Sequence, residues 1–268
     1  MVDEGTPAVA ATTRPVIRIE NAVKSFSGRV VVDIDDLTLG DVPIEGLIGP
    51  NGAGKTTLMR MIMHSTPLDS GSVSLLPGGL GSEGTVVLSD LPTHAMAGQG
   101  VVKSNQVIMD FDKLTIWDSL LLAVVADEAE RPYRVFNEKK VFKAHEADMR
   151  EYLSIFGFDE PARHALSAGE KKLLDIVRCL LLKPKFLLLD EPTAGLPDEL
   201  TEKVMAVIRK LAAGGTAVVI VEHDLNVIWN LCDEVHFMAE GKVLMKGSPQ
   251  DIRENSTVVE KYLGEGHV

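Results

Sequence analysis

The chain has 268 residues, 45% hydrophobic and 25% charged, enough for a sizeable core in one large domain or two small ones. Its formal net charge of -12 argues against bulk attraction to nucleic acid or to an anionic membrane surface. No apolar stretch reaches the ~18 to 20 residues of a membrane span, and Cys179 and Cys232, far apart and without CxxC spacing, read as small core residues rather than as a disulfide or zinc site.

The N-terminal MVDEGTPAVAATTRP is acidic and lacks a basic region followed by an apolar one, so residues 1–14 read as a short tail without fixed structure, not as a secretory signal. VIRIENAVKSF and RVVVDIDDLTL alternate as strands do, and IEGLIG is a short buried strand that runs into the glycine-rich GPNGAGKTT. KTTLMRMIMHS then reads as a helix. SVSLL and TVVLSDL are expected to form a hairpin around PGGLGSEG.

From about Thr115 the period changes to that of helices. TIWDSLLLAVVA is one, and the stretch from Asn137 to Phe156 is another, with Val141, His145, Asp148 and Tyr152 spaced three to four residues apart. AGEKKLLDIVRCLLL is a largely buried helix and KFLLLD a strand. Residues 198–213 form an amphipathic helix on Leu200, Val204, Val207, Ile208 and Leu211. GTAVVIVEH is again a buried strand, and the remainder reads as strand around EVHFMAEGKVLMKG with a closing helix. Apolar strands alternating with helices imply an α/β fold with a parallel sheet covered on both faces.

Residues 49–56, GPNGAGKT, satisfy the phosphate-loop pattern G-x-x-x-x-G-K-[ST] between a strand and a helix. Such a loop turns its backbone N–H groups inward on a nucleoside triphosphate. Here Gly49, Pro50, Asn51, Gly52, Ala53, Gly54, Lys55, Thr56 and Thr57 are the nucleotide-binding candidates. Lys55 is assigned to the β- and γ-phosphates and the Thr56 hydroxyl to Mg²⁺. A phosphate loop calls for a second acidic strand end, and FLLLDE supplies it: Asp190 as metal carboxylate and Glu191 as candidate general base.

GPNGAGKTT, Gln106, LSAGEKK at 166–172, LLLDEPTAGL and VEHD at 221–224 occur in the order and approximate spacing of ABC-type ATPase subunits, which the chain resembles from about Val16 onward. The resemblance implies a P-loop NTPase, RecA-like core over about 15–105 and 169–268, an antiparallel β subdomain and an inserted helical subdomain over about 106–168. It implies ATP and Mg²⁺ as cofactors, with two nucleotides sandwiched head to tail between two such subunits. Phe26 stands where an aromatic stacks on adenine. Gln106 matches the glutamine that senses the γ-phosphate and Mg²⁺, and His223 the switch histidine that contacts the γ-phosphate. Leu166, Ser167, Ala168, Gly169 and Glu170 match the signature that contacts the partner subunit's nucleotide.

Three features depart from the family pattern. Ala168 and Glu170 replace the glycine and glutamine of LSGGQ, Pro197 stands where an aspartate is usual with Asp198 one later, and LPGGLGSEG looks like an extended hairpin. A glutamate beside a triphosphate is unfavourable unless its side chain turns away. With one phosphate loop and one signature, the chain must pair with itself or a sibling and act on separate membrane permease subunits from the cytoplasmic face. AGQGVVKSNQ, LTIWDSLLLA and the C-terminal EHDLNVIWNLCDEVHFMAEGKVLMKGSPQDI resemble importer ATPases for branched-chain amino acids and related amides such as urea, which work with a solute-binding protein. Lipopolysaccharide-export ATPases share the YLGE ending. GEKK is similar to soluble ATPases of iron–sulfur cluster assembly, although DEPTAG and EHD are transporter-like, and the coiled coils or tandem cassettes of nucleic-acid-linked relatives are not visible.

Overall fold

The computed structural model describes residues 14–81, 83–104, 114–128, 138–158 and 166–258. Two sheets carry the fold, and their topology follows from the turn chemistry and the strand periods. β1 (Val16–Phe26) and β2 (Arg29–Leu39) pair antiparallel around Ser27 and Gly28, both with positive φ, as a two-residue hairpin loop requires. β4 (Ser70–Leu76) pairs with the other edge of β1, and β5 (Val86–Val87) with β4, giving a sheet of order β2-β1-β4-β5. The expected hairpin around residues 77–84 therefore forms, but its second strand has only two residues before the chain turns into a 3-10 helix at Leu88–Asp90.

The second sheet has the order β10-β9-β3-β8-β7-β6, with β3 (Ile44–Ile48), β6 (Val101–Lys103), β7 (Phe186–Asp190), β8 (Ala217–Val221) and β9 (Glu234–Ala239) parallel to their neighbours. β10 (Lys242–Gly247) returns antiparallel to β9, so the C-terminal strand-like segment is a hairpin. Side chains alternate across each strand. Leu187 and Leu189 join a core with the later helices, whereas Phe186 and Leu188 join one with α1 (Lys55–Ile62) and the antiparallel sheet. A strand wedged between two cores has no polar face, which is why FLLL and AVVIV read as unbroken apolar runs.

On the first of those faces pack α2 (Ile116–Glu128), α3 (Glu138–Phe156), α4 (Ala168–Leu181) and α5 (Asp198–Ala213). The α3 face differs from the expected one. Met149, Leu153 and Phe156 are buried, while His145, Asp148 and Tyr152 are only half-buried and Val141 lies outside the described side chains. The spacing was right and the helix is turned by one position, so that the apolar residues meet the core. β6 and α6 (Leu225–Leu231) are among the elements that escaped the sequence reading. β6 is three residues long and gains its identity only from β7. α6 begins at Asp224, whose side chain accepts from the Asn226 N–H at 2.9 Å, an N-cap legible in the sequence. α7 (Pro249–Glu254) is the closing helix, capped reciprocally by Ser248 and Asp251.

Both cysteines are buried, Cys232 with its thiol pushed up by burial, as expected of core residues. Among the described residues no helix is long and apolar enough to cross a membrane.

Candidate nucleotide-binding and catalytic site

β8 lies between β3 and β7 in the sheet, so the loops that leave the C-terminal ends of these three strands converge at one edge. β3 delivers the phosphate loop, β7 delivers Asp190 and Glu191, and β8 delivers Glu222 and His223. The result is a cleft lined by Val31, Asn51–Thr57, Glu191, Val221 and His223.

The loop's shape requires its glycines. Gly49 has φ +146 and a Cβ there would lie 1.9 Å from the Met238 carbonyl oxygen; Gly54 has φ +105 and a Cβ would meet the Val31 oxygen at 2.6 Å. Gly54 is the N-cap of α1 and offers no side-chain cap, so the first N–H groups of that helix point into the cleft, where the helix dipole favours an anion. Lys55, only 6% exposed, donates from Nζ to the carbonyls of Gly49 at 2.6 Å and Pro50 at 3.1 Å. Burial pulls its pKa down, opposed by the charges of Glu191 and Asp190.

Asp190 is 4% exposed at the end of β7. Its N–H donates to Ser104 Oγ at 3.0 Å, and Oδ2 lies 3.4 Å from Lys103 Nζ. Oδ1 is buried with no hydrogen-bond partner among the described residues. A desolvated carboxylate oxygen without a hydrogen-bond partner among the described residues, on a group whose charge is felt at Lys55, fits a hard divalent cation such as Mg²⁺ or its water shell.

Glu191 sits at φ +51, a left-handed conformation that costs a non-glycine residue about 1 kcal/mol. Its N–H donates to Val221 oxygen at 2.8 Å, its carbonyl accepts from Lys172 Nζ at 2.9 Å, and Oε1 lies 3.2 Å from His223 Nε2. The strained backbone thus aims the carboxylate into the cleft and against the imidazole. Glu222, 1% exposed, accepts at Oε1 from both the N–H and the hydroxyl of Thr193 at 2.7 Å, and at Oε2 from the His223 N–H at 3.2 Å. Burial raises its pKa, with the Thr193 hydrogen bonds working in the opposite direction.

The structure therefore brings together Lys55, Thr56, Asp190, Glu191 and His223. Phe26 does not line the cleft; it stands at the β1 terminus, 49% exposed, with Lys24 Nζ 5.4 Å from its ring centroid. Leu166–Glu170 contribute nothing to the cleft lining either. Gln106 lies outside the described residues. Lys103, Ser104, Lys172, Thr193 and Glu222 were not singled out from the sequence.

The signature opens α4. Ser167 is its N-cap: the Ser167 N–H donates to Glu170 Oε2 at 2.8 Å and the Glu170 N–H donates to Ser167 Oγ at 3.3 Å, a capping box. The Glu170 carboxylate is thus turned back onto the backbone of its own helix, which resolves the concern about an acid at this position. Glu170→Ala is expected to lower stability by about 1 kcal/mol, read as a fall of about 2–4 °C in Tm, whereas Glu170→Gln keeps an acceptor and melts close to the parent. Equal melting of all three would remove the capping box from the account.

A family model described as ABC transporter matches residues 33–194. The chain belongs to the ABC transporter family. It is the ATPase subunit of a transporter, and its likeness to the relatives covers most of the chain. It is 29% identical to the high-affinity branched-chain amino acid transport ATP-binding protein BraF of Pseudomonas aeruginosa, over 94% of this chain and 99% of the relative. It is 30% identical to the lipopolysaccharide export system ATP-binding protein LptB of Escherichia coli K12, over 92% of this chain and 96% of the relative. Among solved structures, an ATP-binding cassette of an ABC transporter in its ADP conformation superposes with a TM-score of 0.76 at 26% identity, covering 94% of this ABC ATPase and all of that chain. These likenesses bear out the P-loop ABC ATPase fold.

Proposed function

We propose that this ABC ATPase powers an importer of branched-chain amino acids or related small amides, binding permease subunits at the cytoplasmic face of the membrane. The convergence of Lys55, Glu191 and His223 in one cleft supports the hydrolytic part of the reading. Lys55 and the N–H groups of α1 hold the phosphates. Glu191 orients a water and accepts its proton as the oxygen bonds to the γ-phosphorus and ADP leaves; His223 holds that carboxylate in position. Asp190, Thr56 and Gln106 are the residues that would hold Mg²⁺, which supplies charge neutralisation on the phosphates. Phe26, half exposed at the end of β1, would stack on adenine.

Ser167 and Gly169 would complete the nucleotide site of a second subunit, identical or related. Their absence from the lining of the cleft in their own chain agrees with this placement. Pro197 has no capping side chain at the N-terminus of α5. Pro197→Asp would add a cap worth about 1 kcal/mol, while releasing a proline constraint of about 0.4–1 kcal/mol. Its Tm is therefore expected to stay within about 2 °C of the parent, so that any change in ATP turnover reports on contacts across the dimer.

The likeness to BraF over 94% of this chain and the segments around Gln106 and after His223 favour import. The comparable identity to LptB, 30% against 29%, favours a second reading, lipopolysaccharide export. Purifying the native complex from membranes and identifying its subunits by mass spectrometry separates them. Permeases with a solute-binding protein support import, permeases of lipopolysaccharide export support the second reading, and cluster-scaffold proteins alone overturn both.

A further inference from the structure

We propose that Lys172 is a positioning residue for hydrolysis: its ammonium fixes the backbone of Glu191 from α4 and so sets the direction of the Glu191 carboxylate. The inference rests on the reading of Glu191 as the base.

Glu191 occupies a left-handed turn, and a residue held there needs its flanking peptide groups pinned. The peptide N–H before Cα is pinned by Val221 oxygen at 2.8 Å. The carbonyl after it is a different matter. Pro192 follows and has no N–H with which to tighten the turn, and the Ala194 N–H reaches the Glu191 oxygen only at 3.4 Å. Lys172 Nζ supplies the short contact, 2.9 Å to the Glu191 oxygen, and takes the Ala194 oxygen at 2.7 Å as well. One ammonium thus gathers two carbonyls of the same loop, which suits three donors on a tetrahedral centre. With both flanks held, the φ and ψ of Glu191 and its Cα–Cβ direction are set, and Oε1 meets His223 Nε2 at 3.2 Å.

The rest of the loop is anchored independently. Glu222 holds Thr193 through two hydrogen bonds of 2.7 Å. The loop therefore keeps its anchor at Thr193 without Lys172, and what is lost is the hold on the Glu191 and Ala194 carbonyls. Lys172 also acts electrostatically on Glu222, favouring the carboxylate that grips Thr193. Because Lys172 lies on α4, the aim of the carboxylate is referred to the helix whose first turn, at Gly169, approaches Leu196 of the same loop; a Cβ on Gly169 would sit 3.2 Å from its Cδ2.

The test is a double-mutant cycle on steady-state and single-turnover ATP hydrolysis. Lys172→Met keeps the apolar stem and removes the donors. It is expected to lower kcat by about tenfold or more, the scale of a displaced catalytic group, with the KM for ATP within about twofold. Lys172→Arg, which can still donate to both carbonyls, is expected to restore most of that loss. In a Glu191→Gln background Lys172→Met is expected to cause no further loss, because both act through one carboxylate. Losses that multiply in the double variant, an unchanged kcat for Lys172→Met, or a raised KM with a lowered Tm and no rescue by Arg would each overturn the proposal. Failure of the underlying reading looks different: Glu191→Gln alone would then hydrolyse ATP at the parental rate.

Discussion

Glu191→Gln is expected to lower ATP turnover by about 10²- to 10⁴-fold, the usual contribution of a general base, while ATP still binds. The substitution is isosteric and keeps an oxygen at the same place, so the turn at φ +51, the Val221 hydrogen bond and the Lys172 contact remain. What disappears is the negative charge that accepts the proton of water. The phosphate loop is untouched, so binding and closure of two subunits around ATP should persist, and the variant should accumulate as an ATP-stabilised dimer on size exclusion. Parental turnover, or no ATP-dependent dimer, would remove Glu191 from its assigned role.

Lys55→Ala attacks the other side of the cleft, with binding as the readout. The ammonium is the buried cation of the phosphate loop, and losing charge-assisted bonds to phosphate at about 1.5–3 kcal/mol each gives an expected fall in ATP affinity of about 100-fold. Burial lowers the Lys55 pKa, so the folded chain already holds this charge against a desolvation penalty. Its removal is therefore expected to leave the nucleotide-free fold intact, and Tm without ATP should move little. The stabilisation that ATP adds to the parent should be missing from the variant, which a thermal melt with and without ATP measures. Undiminished affinity would count against the phosphate site.

The residues that were legible from the sequence share one property: their chemistry is local. Lys55 and Thr56 are bound to a loop whose glycines and following helix are contiguous with them, and Asp190 and Glu191 end an apolar strand that announces itself. The residues that were not legible act across distance along the chain. Lys172 meets Glu191 from 19 residues away, Glu222 meets Thr193 across 29, and Lys103 meets Asp190 across 87. Nothing in GEKK or VEHD states which carbonyl a lysine reaches or which hydroxyl a glutamate holds. The same limit explains the fold-level differences. β6 is a strand because β7 is beside it, and the buried stripe of α3 was chosen by the core it meets, not by spacing alone. α6 is the exception, since Asp224 marks its start in the sequence.

Gly49 approaches the Met238 carbonyl so closely that no side chain fits between them, and β3 is paired on its two sides by β8 and β9. The floor of the phosphate loop is thus made by a strand synthesised almost 190 residues after it. A ribosome-bound chain that has not yet emitted β9 carries the whole GPNGAGKTT motif but lacks the surface against which its backbone is set. The backbone of the phosphate loop is therefore set by a contact of long sequence separation, and the central sheet closes only when its last parallel strand, β9, pairs with β3.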